Sequence, residues 1–125
     1  MQIISPDKVI RGKNAWKKSL PEIVKISNSP LLLGRSLKTR SLRSVISNDL
    51  SQLNLKVYNS ELEFDCCEED LKRIYDFAIQ HKCDSIITAG GGKVLDAGKI
   101  LAEYLSVPCI TVPLSASTCA GWTAL

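Results

Sequence analysis

Asp84-Ser85-Ile86-Ile87-Thr88-Ala89-Gly90-Gly91-Gly92-Lys93-Val94-Leu95-Asp96-Ala97-Gly98-Lys99 is the stretch whose reading decides the fold. The apolar pair Ile86 and Ile87 marks a buried strand over 84–88. Three glycines end it, and a helix is expected from Lys93 to Leu105. Glycine lets backbone N–H groups approach an anion with no Cβ in the way. The helix start adds N–H groups without intrahelical acceptors and a partial positive charge. Together they form a cradle suited to a pyrophosphate. Two common templates do not fit. A G-x-G-x-x-G run would need glycine at Leu95, and a G-x-x-x-x-G-K-[ST] run would need glycine at Ile87 and Ser or Thr at Val94. The competing reading is a glycine-rich turn with no ligand, at an entropic cost that nothing would offset.

Outward from this unit, strand and helix alternate. Short extended pieces are expected at Gln2 to Ile4 and Lys8 to Ile10, around Ser5-Pro6-Asp7. Ala15 to Ile26 reads as a helix with an apolar stripe, broken or restarted at Pro21. Leu31 to Leu33 reads as a buried strand ending at Gly34, and Thr39 to Leu50 as a helix with Leu42, Val45, Ile46 and Leu50 at helical spacing. Leu53 to Tyr58 reads as the next strand. Cys67 to Lys82 is the clearest amphipathic helix, with Leu71, Ile74, Tyr75, Ala78 and Ile79 on one face. Val107 to Val112 reads as a last strand, interrupted by Pro108. The alternation implies an α/β, Rossmann-like domain: a largely parallel sheet with flanking helices, one domain over residues 1–125. Ligands of such sheets bind at the carboxyl ends of the strands.

Composition narrows the function classes. Of 125 residues, 45% are hydrophobic and 23% charged, which excludes a disordered chain. The apolar runs are far too short for a membrane-spanning helix, and no secretory signal is legible at the start. Five cysteines without a C-x-x-C read as free thiols of a reducing cytosol, so a cytoplasmic location is expected. A single histidine, His81, weighs against a self-contained His-based metal site. The net charge of +3 hides a basic first third, from Lys8 to Arg43. A solvated face is the simpler reading of those charges. A nucleic-acid partner is not expected, because no recognition-helix motif or aromatic-studded basic stripe accompanies them.

The second informative stretch, Pro108 to Leu125, runs from a strand into a loop of small hydroxyl residues: Ser115, Ser117, Thr118 and Thr123. By itself it reads equally as a sugar- or phosphate-binding loop or as a polar connection. Asp96 and Lys99 lie one helical turn apart, and Asp96 favours the helix dipole.

Taken together, Gly90-Gly91-Gly92-Lys93-Val94-Leu95-Asp96-Ala97-Gly98-Lys99 and Val112-Pro113-Leu114-Ser115-Ala116-Ser117-Thr118 resemble two recurring runs of one family. It is the iron-containing alcohol dehydrogenase and glycerol dehydrogenase family, within the dehydroquinate-synthase-like fold. The resemblance implies hydride transfer between a polyol and NAD or NADP. It implies a pyrophosphate on Gly90 to Lys93, with Asp96 also at the cofactor. Ser117 and Thr118 would lie near the nicotinamide, with Thr123 and Leu125 lining the cofactor site. It also implies zinc or iron acting as a Lewis acid, held by one Asp and two His of a helical C-terminal domain in a full-length form. Residues 1–125 are therefore expected to be a truncated nucleotide-binding domain, with no metal ligands and no turnover of its own. A homo-oligomer is compatible with the family.

Three positions depart from the family pattern. Cys119 stands where glycerol dehydrogenases usually place a substrate-contacting Asp, and Leu114 where they usually place Thr. Arg35 and Ser36 stand where many members carry an acid for the adenosine ribose. The first two put the alcohol in question. The third favours NADP, because an acid there repels a 2′-phosphate and an arginine attracts it. A nucleotide-binding module without catalysis, and a glycerol-phosphate dehydrogenase or dehydroquinate-synthase-like enzyme, remain the alternatives.

Overall fold

The computed structural model describes residues 2–5, 8–11, 15–35, 40–63 and 68–113, with 2–5, 8–11, 15 and 113 described by backbone alone. The elements follow in the order β1 (Gln2–Ser5), β2 (Lys8–Arg11), α1 (Ala15–Ile26), β3 (Pro30–Gly34), α2 (Arg40–Gln52), β4 (Tyr58–Glu61), α3 (Glu68–Gln80), β5 (Ser85–Gly90), α4 (Gly92–Leu105) and β6 (Cys109–Pro113). They build one six-stranded sheet in the order β2-β1-β6-β5-β3-β4. Strands β6, β5, β3 and β4 are mutually parallel, and the β1–β2 hairpin adds antiparallel to β6 through Ile4 and Thr111. This is the expected α/β, largely parallel architecture.

Helices cover both faces. Side chains alternate along a strand, so each strand feeds two cores. Leu32, Ile87, Ala89, Ile110 and Val112 face α1 and α2, where Trp16, Ile23, Leu42, Ile46 and Leu50 meet them. Leu31, Leu33 and Ile86 face α3 and α4, against Ile74, Ala78, Val94, Ala97 and Leu101. Burial on both faces is why β3 reads as an unbroken apolar run rather than an alternating one, and why β5 is buried along its whole length.

Several sequence expectations are corrected. Helix α1 runs unbroken through Pro21. Pro21 is exposed, so the carbonyl that its missing N–H leaves without a partner faces solvent, while Trp16 and Ile23 anchor both halves of the helix in one core. The strand expected over 53–58 begins only at Tyr58. Helix α2 extends to Gln52, and Asn54 with φ 67° closes it. Leu55 N–H then returns to the Leu50 carbonyl at 3.3 Å, and Leu55 fills the core from a loop. The true strand, Tyr58-Asn59-Ser60-Glu61, is polar because it borders the described sheet on one side only. Val45 and Ile79, expected on buried stripes, are 45% and 55% exposed, and α3 buries Asp70 instead. The last strand starts at Cys109 rather than Val107. Ser106 in left-handed conformation caps α4, Val107 N–H bonds back to the Ala102 carbonyl, and Pro108 has no N–H to give a ladder.

At the amino edge of the sheet, Asp84 knits two loops together. Its carboxylate accepts from Ser27 Oγ at 2.6 Å, Asn28 N–H at 2.8 Å and Ser29 N–H at 3.1 Å. Burial alone would raise its pKa, but these bonds outweigh it and hold the group below the usual carboxylate value. The thiols of Cys83 and Cys109 are free and pushed up to about 11 by burial, which leaves them unreactive.

Candidate functional site

Chain order and strand order disagree at one place. From β3 the chain moves outward through α2 to β4, and from β5 it moves the opposite way through α4 to β6. Helix α2 packs on one face of the sheet and α4 on the other. The connections leaving β3 and β5 therefore diverge and open a crevice between their carboxyl ends. Ligands of open α/β sheets bind at such a switch point. Gly34 and Arg35 form one lip, and Gly90-Gly91-Gly92 the other.

The glycine lip is built for a close approach. Gly90 has φ +154°, which side-chain-bearing residues rarely adopt, and a Cβ there would crowd Val94 at 3.2 Å. Gly91 is the N-cap of α4, extended at φ −87° and ψ −172°, and no side chain among the described residues caps the helix. A Cβ added at Gly91 or Gly92 would meet no atom of the described residues within 4 Å, so among them open space lies against the start of α4. Uncapped first-turn N–H groups facing such space suit an anion. Gly98, two turns on, answers a different need: a Cβ there would overlap Thr88 Cγ2, so this glycine seats α4 on β5. Thr88 is fully buried, and its Oγ1 has no hydrogen-bond partner among the described residues.

The sequence-expected residues fall into two groups. Arg35, Gly90, Gly91, Gly92 and Lys93 are brought to the two lips of the crevice, and Arg35 and Lys93 are exposed there. Asp96 is exposed one turn along α4. Ser36, Ser117, Thr118, Cys119, Thr123 and Leu125 lie outside the described residues.

Beside the Gly34 lip stands a cluster that sequence reading passed over. Arg43, read as part of a solvated basic stretch, has a side chain only 6% exposed. It lies across the end of β3 where a Cβ on Gly34 would overlap its Cδ, Nε and Cζ. Its Nη2 donates to Glu61 Oε2, and Arg40 Nη2 donates to Glu61 Oε1 at 2.7 Å. Burial lowers the Arg43 pKa, Glu61 opposes that, and Arg40 adds to it. The guanidinium stays protonated, so its burial demands an anion beside it. Arg73 fixes the same strand end from the other face, donating to the Glu61 carbonyl at 2.7 Å and to the buried Asp70 at 3.1 Å. The one sequence signal for this cluster was Gly34 itself, a strand-end glycine with φ in the ordinary range.

Residues 6–125 match the family profile described as iron-containing alcohol dehydrogenase. The chain belongs to that family. An uncharacterized oxidoreductase of Synechocystis is 36% identical over 126 residues, covering 98% of this chain and 31% of the relative. A glycerol dehydrogenase of Escherichia coli is 28% identical over 123 residues, covering 98% and 34%. The chain thus spans about a third of the length of the curated relatives it matches. The solved glycerol dehydrogenase of Schizosaccharomyces pombe superposes with a TM-score of 0.74 at 23% identity, covering 83% of this chain and 26% of that one. That likeness establishes the fold. No helix among the described residues is long and apolar enough to cross a membrane.

The crevice fits a dinucleotide's pyrophosphate, since the space at Gly91 and Gly92 is what a Cβ would fill. A metal ion finds no comparable place: among the described residues no group of three or more His, Cys, Asp or Glu side chains could hold one. His81 stacks on Tyr58 at 4.6 Å and lies 4.4 Å from Phe77, at the amino edge of the sheet, away from the crevice.

Proposed function

We propose that this chain is the dinucleotide-binding part of an NAD(P)-dependent alcohol dehydrogenase acting on a small polyol. The observation that carries the reading is the uncapped, glycine-lined start of α4 set at the β3–β5 switch point. Membership of the alcohol dehydrogenase family supports it, as do relatives named glycerol dehydrogenase. In this reading the first-turn amides of α4 would hold the pyrophosphate, and a bound nicotinamide would supply hydride-transfer chemistry for a small alcohol. Arg35 and Ser36 meet the adenosine ribose and favour NADP. Ser117, Thr118, Thr123 and Leu125 line the nicotinamide half, and Cys119 faces the alcohol. Asp96, one turn along α4 and past its first turn, faces solvent beside the cradle.

Calorimetric titration of the chain with NADP and with NAD tests this. Saturable one-to-one binding is expected. Absence of binding by both cofactors at millimolar concentration, in a folded protein, would defeat the proposal.

A further inference from the structure

We infer that the cleft between α2 and β4 is a phosphate-ester subsite for the adenosine half of the dinucleotide, in which Arg40 and Arg43 take up the 2′-phosphate in place of Glu61. The inference rests on the dinucleotide reading above and adds residues that reading does not contain.

Position comes first. Glu61 pairs in register with Gly34, the lip of the crevice, and β5 with its glycine turn is the next strand on. Two strand spacings of about 4.8 Å place the arginines roughly 10 Å to the side of the pyrophosphate cradle, on the adenosine side. The space is present. A cleft of about 510 Å³ opens there, lined by Arg40, Arg43 and Glu61 at one end and by Ser44, Ser47 and Asn59 along its length. Those hydroxyl and amide groups suit a ribose.

Charge supplies the second argument. Arg40 and Arg43 both donate to the Glu61 carboxylate, and Arg35 stands at the same strand ends. Guanidinium forks match phosphate oxygens bidentately, and a dianion satisfies two of them better than one carboxylate does. The Arg43 fork is also preorganised. Gly34 lets its side chain lie flat on the strand end, so little rotamer freedom remains to be lost on binding. Glu61 is then the internal counter-ion that keeps this buried charge paired until the cofactor arrives.

The test compares wild type, Arg40→Gln and Glu61→Gln, each titrated with NADP and with NAD and melted with NADP or with inorganic phosphate. Arg40 is largely exposed, so Arg40→Gln should fold. It should lower the NADP-to-NAD affinity ratio about tenfold. Glu61→Gln should be less stable unliganded, should bind NADP about threefold or more tighter, and should be stabilised by NADP more than wild type is. Unchanged ratios in both variants, with both dinucleotides still bound, would overturn the subsite and leave the proposed function standing. Loss of binding of both dinucleotides by the wild type would overturn the function and the subsite together. Stabilisation of Glu61→Gln by phosphate as strong as by NADP would mark a free-phosphate site and overturn the nucleotide assignment.

Discussion

Replacing Gly91 with valine separates binding from folding. Gly91 is extended with negative φ, and its added Cβ meets no atom of the described residues within 4 Å. A valine fits the fold there, and the loss of a favourable N-cap residue costs about 1 kcal/mol, or roughly 4 °C in Tm. The same methyl groups would occupy the space where the pyrophosphate must lie. Excluding the anion from two first-turn amides forfeits two charge-assisted hydrogen bonds of about 1.5 kcal/mol or more each, together about 3 kcal/mol. That corresponds to an affinity loss on the order of 100-fold. Gly98→Ala is the converse control. Its methyl would overlap Thr88, and overpacking of about 1–3 kcal/mol outweighs the helix-propensity gain of up to about 1 kcal/mol. It should lower Tm while leaving the intrinsic affinity of the folded protein nearly intact. Calorimetric titration with NADP, paired with thermal melts, reads both quantities. Unchanged affinity in a folded Gly91→Val variant would refute the cradle.

Four further outcomes are expected. Arg35→Asp should shift the cofactor preference from NADP toward NAD by about tenfold, read as a ratio of dissociation constants; a wild type that prefers NAD would contradict the role of Arg35. Asp84→Asn should destabilise the chain by about 1 kcal/mol at pH 7, after discounting for solvent screening. Because the folded pKa of Asp84 lies below the unfolded value, its contribution is present above pH about 4 and lost as pH falls through the folded pKa, so the two proteins should converge in acid melts. Thr88→Val, which removes a buried hydroxyl without a partner, should leave stability unchanged or raise it by about 1 kcal/mol in urea titrations, and a clear loss would mean Oγ1 has an undetected acceptor. In a full-length enzyme, Cys119→Asp should raise glycerol turnover by supplying an acceptor for polyol hydroxyls; no gain would remove residue 119 from the alcohol site.

Local pattern carried a large part of this protein. A buried strand, three glycines and the start of a helix fall within sixteen consecutive residues, so the β5–α4 turn was legible without any neighbour. The boundaries of α1 were equally clear, because a 3.6-residue stripe needs only its own helix to be read. The helix ran through Pro21 because solvent and a shared core, neither visible locally, absorbed the defect.

What only the tertiary structure decided are relations between distant segments. The crevice exists because β5 inserts beside β3 rather than beyond β4, an order that no residue pattern within either strand encodes. That order brings Glu61 level with Gly34 and makes the buried Arg43 the floor beside the Gly34 lip, whereas in sequence Arg43 is one cation among many. Asp70, in the first turn of α3, is buried against Arg73 and the end of β4. The partner lies eighteen residues away for Arg43 and Glu61, and fifty-seven for Ser27 and Asp84. Periodicity reports which face a residue takes within its own element. Pairing of charges and close backbone contacts depends on which elements become neighbours, and that is settled by how the whole sheet buries both its faces.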